Sequence, residues 1–221
     1  MLVDAVEGHR LWAPAYDAGP NPLLALESRL LAERLDPLAN RVFLDVATGT
    51  GRWMQHARAR GARPLGFDLC PDMLRVAAAK PGLAGRLALA DAFALPLPDR
   101  IGDLALCSFA LGYFPSLPAA VRELARLASL VIVSDLHPQA IQRGWTRSFR
   151  TEGQLYEIRH YAYSEAQLEN AARCARLAPL WRIESAFGEP ERAIFRAAGK
   201  EPLFAEARHI PAVLITAWRA Q

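Results

Sequence analysis

The stretch from Val42 to Gly51, Val-Phe-Leu-Asp-Val-Ala-Thr-Gly-Thr-Gly, constrains the fold more than any other part of the chain. An apolar run reaches an acid, Asp45, and then breaks into a loop of small residues that holds Gly49 and Gly51. A second apolar run, Pro64-Leu-Gly-Phe-Asp68, ends on another acid. This is the pattern of a strand, a tight loop, a crossover helix and a second strand. In such a sheet the strand ends line one crevice, and a carboxylate on the second strand can grip the two hydroxyls of a ribose. The pattern therefore places a nucleoside-bearing ligand where the strand order reverses.

The flanking sequence extends the pattern. Strands are predicted over 41–46, 64–68, 86–90, 103–109 and 130–135, with helices over 51–60, 72–80 and 118–127 between them. Strands that are almost continuously apolar and alternate with helices imply a parallel sheet covered on both faces. Pro22 opens a helix whose leucines, Leu23 to Leu35, share a broad face, and Asp36-Pro37 ends it. Residues 1–21 read as aromatic and irregular, so 1–36 forms an N-terminal helical cap. Ser164 caps a further helix through Ala175, and two more strands are expected near 180–187 and 212–219. No linker divides the chain, and 1–221 reads as a single domain.

Composition narrows the class. At 221 residues, 52% hydrophobic and 22% charged, the balance is that of a globular domain with its own core. No apolar stretch is long enough to span a membrane, and no secretory signal is apparent at the N-terminus. Cys70, Cys107 and Cys174 lack paired spacing, which argues against disulfides or a metal site and fits a reducing cytoplasm. The net charge of +3 comes almost wholly from arginine, spread along the chain rather than clustered, which argues against a nucleic-acid surface.

Asp45, Asp68 and Asp91 occupy matching places: the first two end their strands and the third follows the next one. Small residues at 47–51 let the backbone approach a ligand closely, Asp68 suits a ribose, Asp91 suits an adenine amino group, and Met73 can pack on the adenine ring. The segments Asp45-Val-Ala-Thr-Gly-Thr-Gly51, Gly66-Phe-Asp68-Leu-Cys-Pro-Asp-Met73 and Ala90-Asp91-Ala92 resemble the successive motifs of class I S-adenosylmethionine-dependent methyltransferases. The likeness covers about residues 12–136 and is strongest to small-molecule enzymes of the quinone- and biotin-biosynthesis type. It implies a Rossmann-like α/β fold, doubly wound, with a seven-stranded sheet whose last strand is antiparallel, and S-adenosyl-L-methionine as cofactor. By the same resemblance, Asp45 organises the glycine loop and meets the methionine amino group. Ala92 backs the adenine, Ser108 lies near the methionine moiety, and Tyr16 closes over the cofactor. Position 47 is Ala where the family usually has its first Gly. A nicotinamide-dependent dehydrogenase fits poorly, because position 54 is Met where a third glycine is needed.

The acceptor side is expected from the ends of the fourth and fifth strands and the segment that follows. His137, after Ser134-Asp135-Leu136, is predicted to face the transferred methyl as a general base, with His160 a second candidate and Tyr113 a wall residue with a hydroxyl. Residues 137–163 are dense in Trp, Tyr, His and Arg, and are predicted to fold over the crevice as a substrate cover. Trp12, Trp145 and Tyr161 would hold a flat or apolar small molecule, and Arg143 or Arg147 would pair with an anionic group. No metal is called for, and a homodimer is left open. The competing readings are a nucleic-acid or protein methyltransferase and a non-catalytic S-adenosylmethionine-binding module.

Overall fold

The computed structural model describes residues 1–221. Chain order runs β1 (Leu2–Val3), α1 (Ala5–Trp12), α2 (Pro22–Leu31), β2 (Val42–Val46), α3 (Arg52–Ala59), β3 (Arg63–Asp68), α4 (Pro71–Ala78) and β4 (Leu87–Leu89). It continues with β5 (Gly102–Ser108), α5 (Leu117–Leu127), β6 (Ala128–Leu136), α6 (Pro138–Gln142), β7 (Arg147–Thr151), β8 (Gln154–Ile158) and α7 (Glu165–Cys174). The last elements are β9 (Leu177–Ser185), α8 (Glu189–Ala197), α9 (Glu201–Ala207) and β10 (Val213–Ala220). No helix is long and apolar enough to cross a membrane.

Seven strands form the main sheet in the order β4-β3-β2-β5-β6-β10-β9. Strands β2 to β6 pair in parallel, and β10 is antiparallel to both neighbours. The alternation of side chains explains why the strands are apolar throughout. Leu44, Val46, Ala105, Cys107, Val131 and Val133 face a core built with α5 and α7. Phe43, Leu104, Leu106 and Ile132 face the opposite core, with Leu26 and Leu31 of α2, Trp53 of α3 and Phe204 of α9. The order reverses between β2 and β5, so their C-terminal ends flank an open crevice.

The N-terminus departs from expectation. Residues 5–12 are helical, with the Asp4 side chain capping Glu7 N–H at 2.9 Å. Gly8 obscures that helix in the sequence. It is present because a Cβ there would stand 2.7 Å from Ile158 Cγ1, so α1 can seat directly on β8. Segment 137–163 is a short helix followed by the β7–β8 hairpin. The hairpin turns on Glu152 and Gly153, both at positive φ, and β8 adds β1 as a parallel third strand. Helices α8 and α9 lie in a stretch that carried no sequence reading.

Candidate active site

One large cavity, about 650 Å³, opens at the C-terminal ends of β2, β3 and β5. Its floor is the loop after β2. Ala47 (φ 58°) and Gly49 (φ 56°) both take left-handed backbone there, and Thr48 donates its hydroxyl to Asp45 at 2.7 Å. Nothing lies near a Cβ built on Gly49, so that position faces open space. Gly51 (φ 78°) does not line the cavity. It starts α3, and a Cβ on it would meet Leu83 at 2.8 Å, so its glycine serves packing and turning rather than ligand contact. The Ala at 47 carries a strain that glycine would not. Ala47→Gly is expected to raise stability by about 0.5–1 kcal/mol, the left-handed penalty less the extra chain entropy of glycine. Chemical denaturation measures this, and a destabilised variant would show that the Ala47 methyl makes contacts worth more than the strain.

Asp68 ties two loops together, accepting from Gly49 N–H at 2.7 Å and Cys70 N–H at 2.8 Å. Asp91 accepts from Phe93 N–H at 3.0 Å. Asp45, Ala47, Gly49, Asp68, Met73, Asp91, Ala92 and Ser108 all line the same cavity, as do Tyr16 and Trp12. Met73 is buried against Ala13 and Tyr16, so α4 and the N-terminal segment close one side. The donor set fits an adenosyl cofactor: Asp68 keeps free lone pairs after its two backbone bonds, and the floor has no side chain at Gly49.

Burial pushes the Asp45 carboxyl up to about 7, with the Thr48 hydroxyl pulling the other way. Below that pH the free protein holds a proton there, and pairing with a ligand ammonium must expel it. Affinity for S-adenosylhomocysteine is therefore expected to weaken as pH falls below about 7, by up to about tenfold per unit. Calorimetry across pH 5.5–8 reads this, and a flat profile would remove Asp45 from the amino-group site.

Beneath the floor lies a carboxylate the sequence reading passed over. Glu27 of α2 is fully buried. It pairs with Arg52 and accepts from Ser108 at 2.7 Å, from Trp53 Nε1 at 3.2 Å and from the Ser134 hydroxyl. Its signal was present: an acid at position 27, between Leu23 and Leu31 on one helical stripe. Ser108 therefore spends its hydroxyl proton on Glu27. Thr50 anchors the N-terminal segment, donating to Asp17 at 3.0 Å.

The acceptor side requires corrections. His137 does not face the crevice. It is fully buried as the cap of α6, its Nδ1 accepting from Gln139 N–H at 3.1 Å and its Nε2 3.2 Å from Glu184. With Nδ1 an acceptor, Nε2 carries the proton, and no lone pair remains for a base. The same tautomer disfavours a cation between His137, Glu165 and Glu184, whose ligand atoms lie within 4.8 Å of one another. Arg182 also supplies positive charge there, 3.0 Å from Glu165. His160 donates toward Ile158 O and is not on the cavity wall. Arg143 is exposed at the end of α6, Trp145 stacks on Phe187 on the far face of the sheet, and Tyr161 stacks on Tyr163 beside a separate small pocket.

Arg147 and Tyr113 do reach the cavity. Arg147 is buried, pairs with Asp135, donates to Phe109 O at 2.8 Å and lies 4.6 Å over the Tyr113 ring. Its Nε is buried with no partner. Trp12 stacks on Phe149 at 4.9 Å, fastening α1 to the hairpin. His9, Phe93 and Phe109 complete this end and were not anticipated as site residues.

A seven-stranded sheet of this order, with a cavity floored by a glycine loop and edged by Asp45, Asp68 and Asp91, is the α/β arrangement of the methyltransferase architecture. Residues 44–130 match the family model described as a methyltransferase domain. A demethylmenaquinone methyltransferase from Thermus thermophilus is 38% identical over 126 residues, 52% of this chain and 56% of that protein. A malonyl-[acyl-carrier protein] O-methyltransferase from Serratia marcescens is 34% identical over 137 residues, 59% and 51% of the respective chains. The chain thus spans about half the length of these curated relatives. Among solved structures, an S-adenosylmethionine-dependent methyltransferase from Mesorhizobium loti superposes with TM-score 0.71 at 22% identity, covering 90% of this chain and all of that one. Geranyl diphosphate C-methyltransferase from Streptomyces coelicolor, solved with S-adenosyl-L-homocysteine, gives TM-score 0.66 at 15% identity, covering 90% and 79%. These two structures support the fold. Residues 44–130 of the chain are thus similar to a methyltransferase domain, and its fold is that of S-adenosylmethionine-dependent methyltransferases of known structure.

Proposed function

We propose that this protein transfers a methyl group from S-adenosylmethionine to a flat, largely apolar small molecule that carries an acidic hydroxyl, such as a naphthol or hydroquinone. The observation that carries the reading is a single cavity with carboxylates at one end and an aromatic wall with a buried cation at the other. Asp45, Asp68 and Asp91 mark the cofactor end, while Trp12, Tyr113, Phe109 and Arg147 mark the acceptor end.

The cofactor supplies an electrophilic methyl on a sulfonium with a good leaving group. What remains for the protein is alignment, dryness and charge. Asp68 and Asp91 fix the nucleoside, and Asp45 fixes the amino acid end. Helix α1 and the β7–β8 hairpin, joined by the Trp12–Phe149 stack, cover the acceptor end and exclude water. The Arg147 guanidinium, over the Tyr113 ring at this end of the cavity, sets positive charge beside an acceptor oxygen as it gains negative charge. Asp135 offsets the rest of the guanidinium charge, so the pocket is not strongly cationic when empty of acceptor.

The relatives named above act on demethylmenaquinone and on a malonyl thioester of acyl carrier protein. The aromatic wall favours the first kind of acceptor. The test is S-adenosylhomocysteine release with 1,4-naphthohydroquinone, 2-naphthol and malonyl thioesters, each in turn. Turnover is expected with the hydroxyaromatics. Turnover with the malonyl thioester alone would refute the acceptor class.

A further inference from the structure

His9 sits on α1 with its Nδ1 2.7 Å from the Ala5 carbonyl, one turn earlier. A carbonyl only accepts, so Nδ1 carries the proton and the neutral ring keeps its lone pair on Nε2. No protein group bonds Nε2, and the ring lines the cavity. It stands edge-on to Tyr113, centroids 4.9 Å apart at 88°, and 6.4 Å from Tyr16. Tyr113 in turn lies under the Arg147 guanidinium. A lone pair and a cation thus flank one tyrosine, at the acceptor end of the cavity.

We propose that His9 is the general base of the methyl transfer, its Nε2 taking the proton of the acceptor hydroxyl. The inference rests on the function proposed above. As the acceptor's electron pair forms the new bond to the methyl, the methyl–sulfur pair returns to sulfur. The hydroxyl proton passes to Nε2 and leaves to water with the product. Arg147 holds the oxygen that loses the proton.

The charged groups facing the ring are Asp68 from the end of β3 and Arg147 from β7, with the phenols of Tyr16 and Tyr113 beside it. Burial pushes His9 below the usual imidazole range, Asp68 opposes that shift, and Arg147 adds to it. Burial also pushes both phenols up, so they stay neutral. The ring is therefore an unprotonated acceptor at neutral pH, and Asp68 compensates the imidazolium that forms in the reaction.

The test compares the wild type with His9→Gln and His9→Ala on naphthols of graded acidity. With 2-naphthol, kcat is expected to fall about 100-fold or more in both variants, at little cost in KM. The acid limb of the wild-type pH profile should vanish, and added imidazole should restore part of the His9→Ala rate. With 1-nitro-2-naphthol, already ionised at pH 8, the variants should nearly match the wild type. Calorimetric affinity for S-adenosylhomocysteine should stay within about threefold. Histidine ring ¹⁵N spectra of the full chain should show His9 protonated on Nδ1 and titrating below the free value. A loss equal across the naphthol series, or a proton found on Nε2, would overturn the base while leaving the methyl-transfer reading intact. A wild type inactive on every naphthol would overturn both.

Discussion

Replacing Asp68 with alanine is expected to weaken S-adenosylhomocysteine binding by at least about 100-fold, equivalent to about 2.7 kcal/mol. Two terms add. The variant loses charge-assisted bonds to the ribose hydroxyls, each worth roughly 1.5–3 kcal/mol. It also leaves the amides of Gly49 and Cys70 without their acceptor, so the loops after β2 and β3 are no longer held in register. Asp68→Asn keeps an acceptor oxygen and should lose about tenfold. Calorimetry on the folded variants reads both. An alanine variant within tenfold of the wild type would mean that the ribose is held elsewhere.

The second large effect concerns stability. Glu27→Ala is expected to cost about 3–5 kcal/mol, the range found when one partner of a buried ion pair is removed. The lower end applies if Arg52, whose side chain is 29% exposed, turns toward solvent. Ser108, Ser134 and Trp53 each lose an acceptor in the same step, and Ser134, fully buried, cannot replace it with water. The melting temperature should drop by roughly 6–12 °C or more. Glu27→Gln keeps the volume and one acceptor oxygen and should cost less. A loss below about 1 kcal/mol for the alanine variant would show that the carboxylate is not the hub the contacts describe.

The sheet was legible because its strands are buried on both faces and therefore read as apolar runs. Alternation along β2, β5 and β6 then divides their side chains between two cores. That Asp45, Asp68 and Asp91 share one cavity was legible for a local reason: each lies at or just past the end of its own strand, so chain order fixes its place in the crevice. The acceptor side was not local. Position 137 was rightly placed at the end of β6, but side chains alternate along a strand. Leu136 lines the cavity and His137 turns away to cap α6. Arg147 and Phe149 point inward from the hairpin while Ser148 and Arg150 are exposed, an alternation present in the sequence. It was masked because Glu152-Gly153 lacks the Asn-Gly or Asp-Gly signature of a tight turn. His9 enters the site only because α1 packs across β8 and α4, a long-range contact that no periodicity reports.

The central claim is that Asp45, Asp68 and Asp91 together hold an adenosyl cofactor with its sulfur turned toward His9, Tyr113 and Arg147. A crystal structure with S-adenosylhomocysteine tests it most directly. The account expects both ribose hydroxyls on Asp68, the adenine beside Met73 and Ala92 with its amino group at Asp91, and the sulfur facing the aromatic wall. A ribose away from Asp68, or a ligand outside this cavity, would contradict it.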